Sequence, residues 1–156
     1  MFINPVITQE LILIAQNSQS LKANSVHGLS HWLKVEKLGL QLADQIQSDR
    51  DVISLFALFH DSCRENDFTD LQHGARASQL LCELFYQRKL PLSPEQFNLL
   101  NVACRHHTDT TFHSSSTIAC CWDADRLDLT RIGVYPDPEL LNTEPAKKLA
   151  VRISII

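Results

Sequence analysis

Ile53-Ser54-Leu55-Phe56-Ala57-Leu58-Phe59-His60-Asp61 is an apolar run that ends in two residues which, once buried, need partners. Val52 to His60 is apolar nearly all round, which predicts a buried central helix. Imidazole nitrogen and carboxylate oxygen both bind zinc, manganese, iron or nickel, so His60-Asp61 is a candidate metal-binding pair. Alone, the pair reads equally as a helix C-terminus, with His60 at the dipole and Asp61 starting a turn. The flanking sequence has to decide.

Upstream, Asp49-Arg50-Asp51 is a polar break. Before it, Leu29, Trp32, Leu33, Val35, Leu38, Leu42 and Ile46 recur at three and four, predicting an amphipathic helix over 26–47. His31 shares the face of Val35, Leu38 and Leu42, and a core-facing histidine needs a hydrogen-bond partner. His27-Gly28 marks the entry to that helix. A first amphipathic helix is expected over 6–16, with Thr8 as its candidate cap.

Downstream, 61–70 is a polar loop rich in Asp, Asn and Arg. His73-Gly74 opens a helix that ends near Lys89, and the small residues Gly74, Ala75, Ala77 and Ser78 allow another backbone or a substrate to come close. Ser93-Pro94-Glu95-Gln96 has the pattern of a capped helix start, and that helix runs to Arg105-His106-His107. Ile118 to Ile132 is the last strong helical unit. Asp125 lies three or four residues from Cys121, Trp122, Asp128 and Leu129, so it is expected to face inward, where a carboxylate must be paired or metal-bound. Tyr135-Pro136-Asp137-Pro138 breaks the chain, and Thr143-Glu144-Pro145 starts a short C-terminal helix.

Composition sets the frame. A chain of 156 residues with 44% hydrophobic content is expected to form one domain, 1–156, with a proper core. With only four glycines and many helix formers, helix is favoured over a β-sandwich. A net charge of −4 argues against a surface that coats nucleic acid, while leaving room for a small anionic substrate. The five cysteines form no Cys-x-x-Cys pair, which argues against a four-cysteine zinc site and for a reducing compartment. The first residues lack the basic region of a signal peptide, and Leu11 to Ala15 is too short to span a membrane. A cytoplasmic protein is expected.

The ordered series His31, His60-Asp61, His73, His107 and Asp125 resembles the HD superfamily of metal-dependent phosphohydrolases, over about residues 26–132, with 133–156 left as a C-terminal tail. His31 followed by Lys34-Val35 looks like the family's first ligand, usually followed by Arg-Val. His60-Asp61 looks like the signature pair, and Ala124-Asp125-Arg126-Leu127 like the final Ala-Asp motif, which selects Asp125 over Asp123.

The resemblance implies an all-α, HD-domain-like helical bundle with a central metal site. His31, His60, Asp61 and Asp125 would hold one divalent ion: zinc, manganese, iron, nickel, cobalt or magnesium. In family branches that hold two metals, His73 and His107 would bind the second and Asp61 would bridge; otherwise His73 caps its helix and His107 meets phosphate. The implied substrate is a nucleotide or another small phosphorylated molecule, with Asp61, Arg64, Arg126 and His106 as catalytic candidates, His106 as general acid. Arg64 and Arg126 read alternatively as surface ion pairs, and Asp123 or Asp128 either orients a ligand histidine or is a surface carboxylate. His27 and His113 are expected on loops, and Trp122 in the core. No Gly-Tyr-Pro element is present, which disfavours a cyclic dinucleotide. Two rivals stay open: a di-iron oxygenase on the same scaffold, and a non-catalytic binding module, the latter disfavoured because every ligand type is present. A homo-oligomer is left open.

Overall fold

The computed structural model, which describes residues 1–22 and 24–154, makes the polar break at Asp49 a helix start. The Asp49 carboxylate accepts from the backbone of Asp51 and Val52, both at 3.0 Å, and from Gln96 Nε2 at 2.9 Å. This satisfies amides that the first turn leaves free. The helix it opens is central: every residue from Val52 to Phe59 is buried. Among the described residues there are seven α-helices and no strand, as the all-α expectation required: α1 Gln9–Ser18, α2 Leu29–Ala43, α3 Arg50–Phe59, α4 His73–Tyr86, α5 Pro94–His106, α6 Ser116–Leu127 and α7 Glu144–Ile153. Helix α3 packs against α2, α5 and α6, while α4 packs on α5. None of these helices is long and apolar enough to cross a membrane.

Helix α2 is shorter than the apolar pattern suggested. Ser25 to Gly28 form a turn closed by Gly28 N–H donating to Ser25 O, and Gly28 is the N-cap. At the other end, Gln45 donates to Leu42 O, while Ile46 still packs on the core from the turn. The periodicity therefore outlasted the helix because a turn residue continued its apolar face. Gly39 faces α3: a Cβ there would lie 2.5 Å from Ile53 Cγ2. Glu36, fully buried, accepts from Ile3 N at 2.6 Å and Asn4 N at 2.9 Å, tying the N-terminal segment to α2.

Several predicted starts appear as expected. Thr8 caps α1, and Ser93 with Gln96 forms a reciprocal capping box on α5. Helix α4 ends at Tyr86 rather than near Lys89, because Arg88 takes a left-handed conformation and Lys89 N–H returns to Leu84 O. The unit read as one helix over 118–132 is two pieces. Helix α6 stops at Leu127, and a 3-10 turn, Asp128–Ile132, follows up to Gly133 at φ 78°.

The segment after 132 is not a loose tail. Asp123, fully buried, accepts from Asn142 N, Asn142 Nδ2, Thr143 N and Thr143 Oγ1 at 2.7 to 2.9 Å. That carboxylate holds the start of α7, whose Ala146 and Ala150 are buried. So Asp123 serves architecture, and its four donors leave it no reach towards a ligand histidine.

Candidate metal centre

Four histidines and two aspartates from five parts of the fold meet behind α3. His31 comes from the first turn of α2, His60 and Asp61 from the end of α3, His73 from the first residue of α4, His107 from the C-cap of α5 and Asp125 from the last turn of α6. They form two groups, His31 with His60 and Asp125, and Asp61 with His73 and His107. Within each, ligand atoms lie within 4.8 Å of one another.

The tautomers follow from the partners. His60 Nδ1 faces the carbonyls of Phe56 and Ala57 at 3.1 and 3.2 Å, and His107 Nδ1 faces Cys104 O at 2.7 Å. His31 Nδ1 faces Asp128 Oδ2 at 2.8 Å, and His73 Nδ1 faces Asp70 O. A carbonyl or carboxylate oxygen only accepts, so each Nδ1 carries the hydrogen and each Nε2 presents a lone pair. Those lone pairs converge: His31 Nε2 is 3.1 Å from His60 Nε2, and His73 Nε2 is 2.8 Å from His107 Nε2. Acceptors facing acceptors among carboxylates repel unless a cation lies between them. The donor set is nitrogen and oxygen only, which fits a divalent first-row metal or magnesium.

Asp61 divides its oxygens between the groups. Oδ2 lies 3.7 Å from His31 Nε2 and 3.6 Å from His60 Nε2. Oδ1 lies 3.2 Å from His73 Nε2, 3.6 Å from His107 Nε2 and 3.5 Å from Arg64 Nη1.

The electrostatics favour a neutral His60 and ionised carboxylates. Burial pushes the His60 imidazolium down to about 3, so the ring is neutral. Burial opposes ionisation of Asp61, but His60 and the imidazoles of His107, His27 and His73 at its oxygens hold its carboxyl well below the usual range. Asp125 is lowered too, burial being outweighed by His31 at its oxygen and by the neighbouring imidazoles of His60 and His107. His31 and His107 shift upward: burial pulls them down, and the carboxylates beside them, Asp125 and Asp128 for the one and Asp61 for the other, prevail. The carboxylates thus draw positive charge into the centre. Burial keeps the Cys104 and Cys121 thiols protonated, consistent with a centre free of thiolate.

The remaining candidates are distributed unevenly. Arg64 is buried; it donates to Asn66 O and Phe68 O and turns Nη1 to Asp61 and His73. Arg126 is committed elsewhere, donating to the carbonyls of Thr110, Thr111 and Leu140. His106 sits on the outer side of the last turn of α5, where it pairs with Asp109 at 3.1 Å. His113 accepts from Ser115 N in its loop and packs edge-on against Trp122, which is buried and donates to Ala103 O.

One residue at the centre escaped the sequence reading, and a second was left open there. His27, expected on a loop, lies on one but places Nδ1 2.9 Å from Asp61 Oδ2, with Arg131 Nη2 3.3 Å away. Asp128, left between orienting and surface roles, orients His31. The available signal was spacing: His27 lies four residues before His31, and Asp128 three after Asp125.

A family profile described as HD domain matches residues 28–150, reaching well past residue 132. No curated protein gives a significant match. Among solved structures, the crystal structure of a predicted HD superfamily hydrolase from an uncultured Thermotogales bacterium is similar, with a TM-score of 0.73 and 26% sequence identity over 94% of this chain and 85% of that one. With most of its length matched and His60-Asp61 at the middle of the donor cluster, the chain belongs to the HD-domain family of metal-dependent hydrolases.

Proposed function

We propose that this chain is a phosphohydrolase with a dinuclear centre, acting on a nucleotide or another small phosphorylated molecule. The observation that carries the reading is the convergence of four Nε2 lone pairs and the carboxylates of Asp61 and Asp125 in two groups, with one Asp61 oxygen facing each. His31, His60 and Asp125 would hold one ion, His73 and His107 the other, and Asp61 both. When bound, divalent ions there supply Lewis acidity, polarising a phosphoryl oxygen and acidifying water. The rest is done by the chain. Asp128 and the carbonyls of Phe56, Ala57, Asp70 and Cys104 hold the imidazoles in one tautomer and orientation. Arg64 sets a fixed positive charge beside Asp61, where the oxygens of a phosphate would bring negative charge. Arg126 staples the 110–111 loop to Leu140 at the rim.

The small-substrate assignment rests on access. Asp125 is the most open of the six candidate ligands for which a side-chain exposure bears on entry, at 19%, while Asp61 is at 4% and His60 at 0%. Ligands this enclosed would admit a terminal or small phosphoester more readily than a polymer. Five free cysteines suit a reducing, cytoplasmic setting.

Metal content of chelator-free protein, by plasma mass spectrometry, tests the reading. Two ions per chain are expected in the wild type and about one in His73→Ala, since three donors serve each group. No ion in either protein, even after reconstitution, would sink the assignment. Asp128→Asn is expected to weaken metal binding by about tenfold to hundredfold, read by competition with a chelating dye, because His31 loses its fixed acceptor. The same donor set suits two irons and oxygen chemistry; iron content with visible absorbance in fresh protein, and no phosphoester turnover, would favour that reading.

A further inference from the structure

A cavity of about 660 Å³ lies along the outer side of α2, between that helix, the N-terminal segment and the Asp128–Ile132 turn. That volume is in the range of small-molecule sites, about 300–1,000 Å³. Its cations are Lys34 and Lys37 from α2 and Arg131 from the turn; Ile3, Val26 and Leu33 supply apolar wall. Among the described residues the lysine ion pairs are those of Lys89 and Lys147, so neither Lys34 nor Lys37 has a carboxylate partner. Asp128 also lines the cavity, but its carboxylate is engaged by His31. Three cations against one occupied carboxylate, in a chain of net charge −4, make a local positive field.

The cavity abuts the metal centre, since the candidate ligand His31 also lines it, and Arg131 adds a second link. Arg131 donates to Val26 O and Asp128 O through Nε and Nη1, and its Nη2 approaches His27, which in turn meets Asp61. An anion drawn to Arg131 would therefore act on the residues that orient two of the candidate ligands.

We propose that this cavity binds a small amphipathic anion, a phosphoryl head held by Lys34, Lys37 and Arg131 with an apolar body against Ile3, Val26 and Leu33. Three cations lining one cavity suit a dianionic head better than a carboxylate. Two sources share that chemistry, a remote part of the substrate and a separate effector. The binding stands apart from the hydrolase reading, whereas the choice of source rests on it.

Calorimetric titration of the metal-loaded protein with n-octylphosphonate, whose carbon–phosphorus bond resists hydrolysis, tests the proposal. Besides any binding at the metal centre, one event is expected that weakens about tenfold or more in the Lys34→Gln/Lys37→Gln protein and by less than about twofold in His73→Ala. Octanol and methylphosphonate, each with half the chemistry, are expected to bind at least about tenfold more weakly. No binding near 1 mM, or a Kd in the double variant within about twofold of wild type, would overturn the site, as would loss of binding in His73→Ala, which would put the ligand at the metal centre. Turnover of bis(p-nitrophenyl) phosphate separates the sources. Competitive inhibition by octylphosphonate, relieved in the double variant, marks a remote part of the substrate; a changed kcat without competition marks an effector. No turnover at all would count against the hydrolase reading and leave the binding result intact.

Discussion

Asp61→Asn protein is expected to hold less than one metal ion per chain and to hydrolyse phosphoesters at least about 10³-fold more slowly than the wild type. Asp61 Oδ2 faces His31 and His60, and Oδ1 faces His73 and His107. An asparagine has nearly the same shape, but one of its two terminal atoms is an NH₂ that carries donors and no free lone pair. Whichever way the amide lies, one group of three then meets a donor where it had an acceptor. The other group keeps an oxygen but loses the shared negative charge. His73→Ala, by contrast, strips a ligand from one group only. Plasma mass spectrometry and turnover read both proteins, and an Asp61→Asn protein that kept two ions would show that the carboxylate does not join the groups.

Gly74→Ala is expected to lower the unfolding free energy by about 2–3 kcal/mol and to remove the ion held by His73 and His107 while sparing the other. The sign is the informative part, since Gly74 is the second residue of α4 and alanine in place of a helical glycine ordinarily stabilises, by up to about 1 kcal/mol. Here the added Cβ would lie 2.7 Å from Arg105 O and 2.8 Å from Cys104 O. Both are backbone atoms of α5, so no rotamer change relieves the clash, and α4 must back away from α5. His73 is the residue before Gly74, and His107 is two residues past Arg105. Their Nε2 atoms, now 2.8 Å apart, would separate. Urea unfolding followed with metal content checks this. A variant as stable as the wild type, with both ions bound, would mean that close helix packing does not position the pair.

The parts of this centre legible in the sequence were those carried by local pattern. His60-Asp61 closes an apolar helix, His31 rides a core-facing stripe, and Asp125 sits among buried neighbours, so each was marked by its own surroundings. Gly74 was legible as a place for close approach, and the approaching backbone is that of α5. Residues whose roles depend on partners far along the chain were not legible. His27 meets Asp61, 34 positions on, and His31 meets Asp128, 97 positions on. Adjacent residues also differ by about 100° of helix rotation, which sequence proximity hides. His106 and His107 are neighbours, yet one pairs with Asp109 outside and the other faces Asp61. Arg126 follows Asp125 directly, yet its guanidinium serves loop carbonyls.

The donor atoms span residues 31 to 125 and come from α2, α3, α4, α5 and α6. No hairpin of the chain contains either group whole: the first needs α2, α3 and α6, and the second needs the end of α3 with α4 and α5. An ion in the first group would recognise only the assembled α2-to-α6 topology, and one in the second would need α3, α4 and α5 together, so their binding energy would be added to the stability of those assemblies and not to any single helix. At a free ion concentration a hundred times Kd, that is about 2.7 kcal/mol per site. Opening any one of these helices releases an ion, so separate local openings become one cooperative event, and the ions act as fasteners across the folding units that the long connecting loops would otherwise let breathe independently.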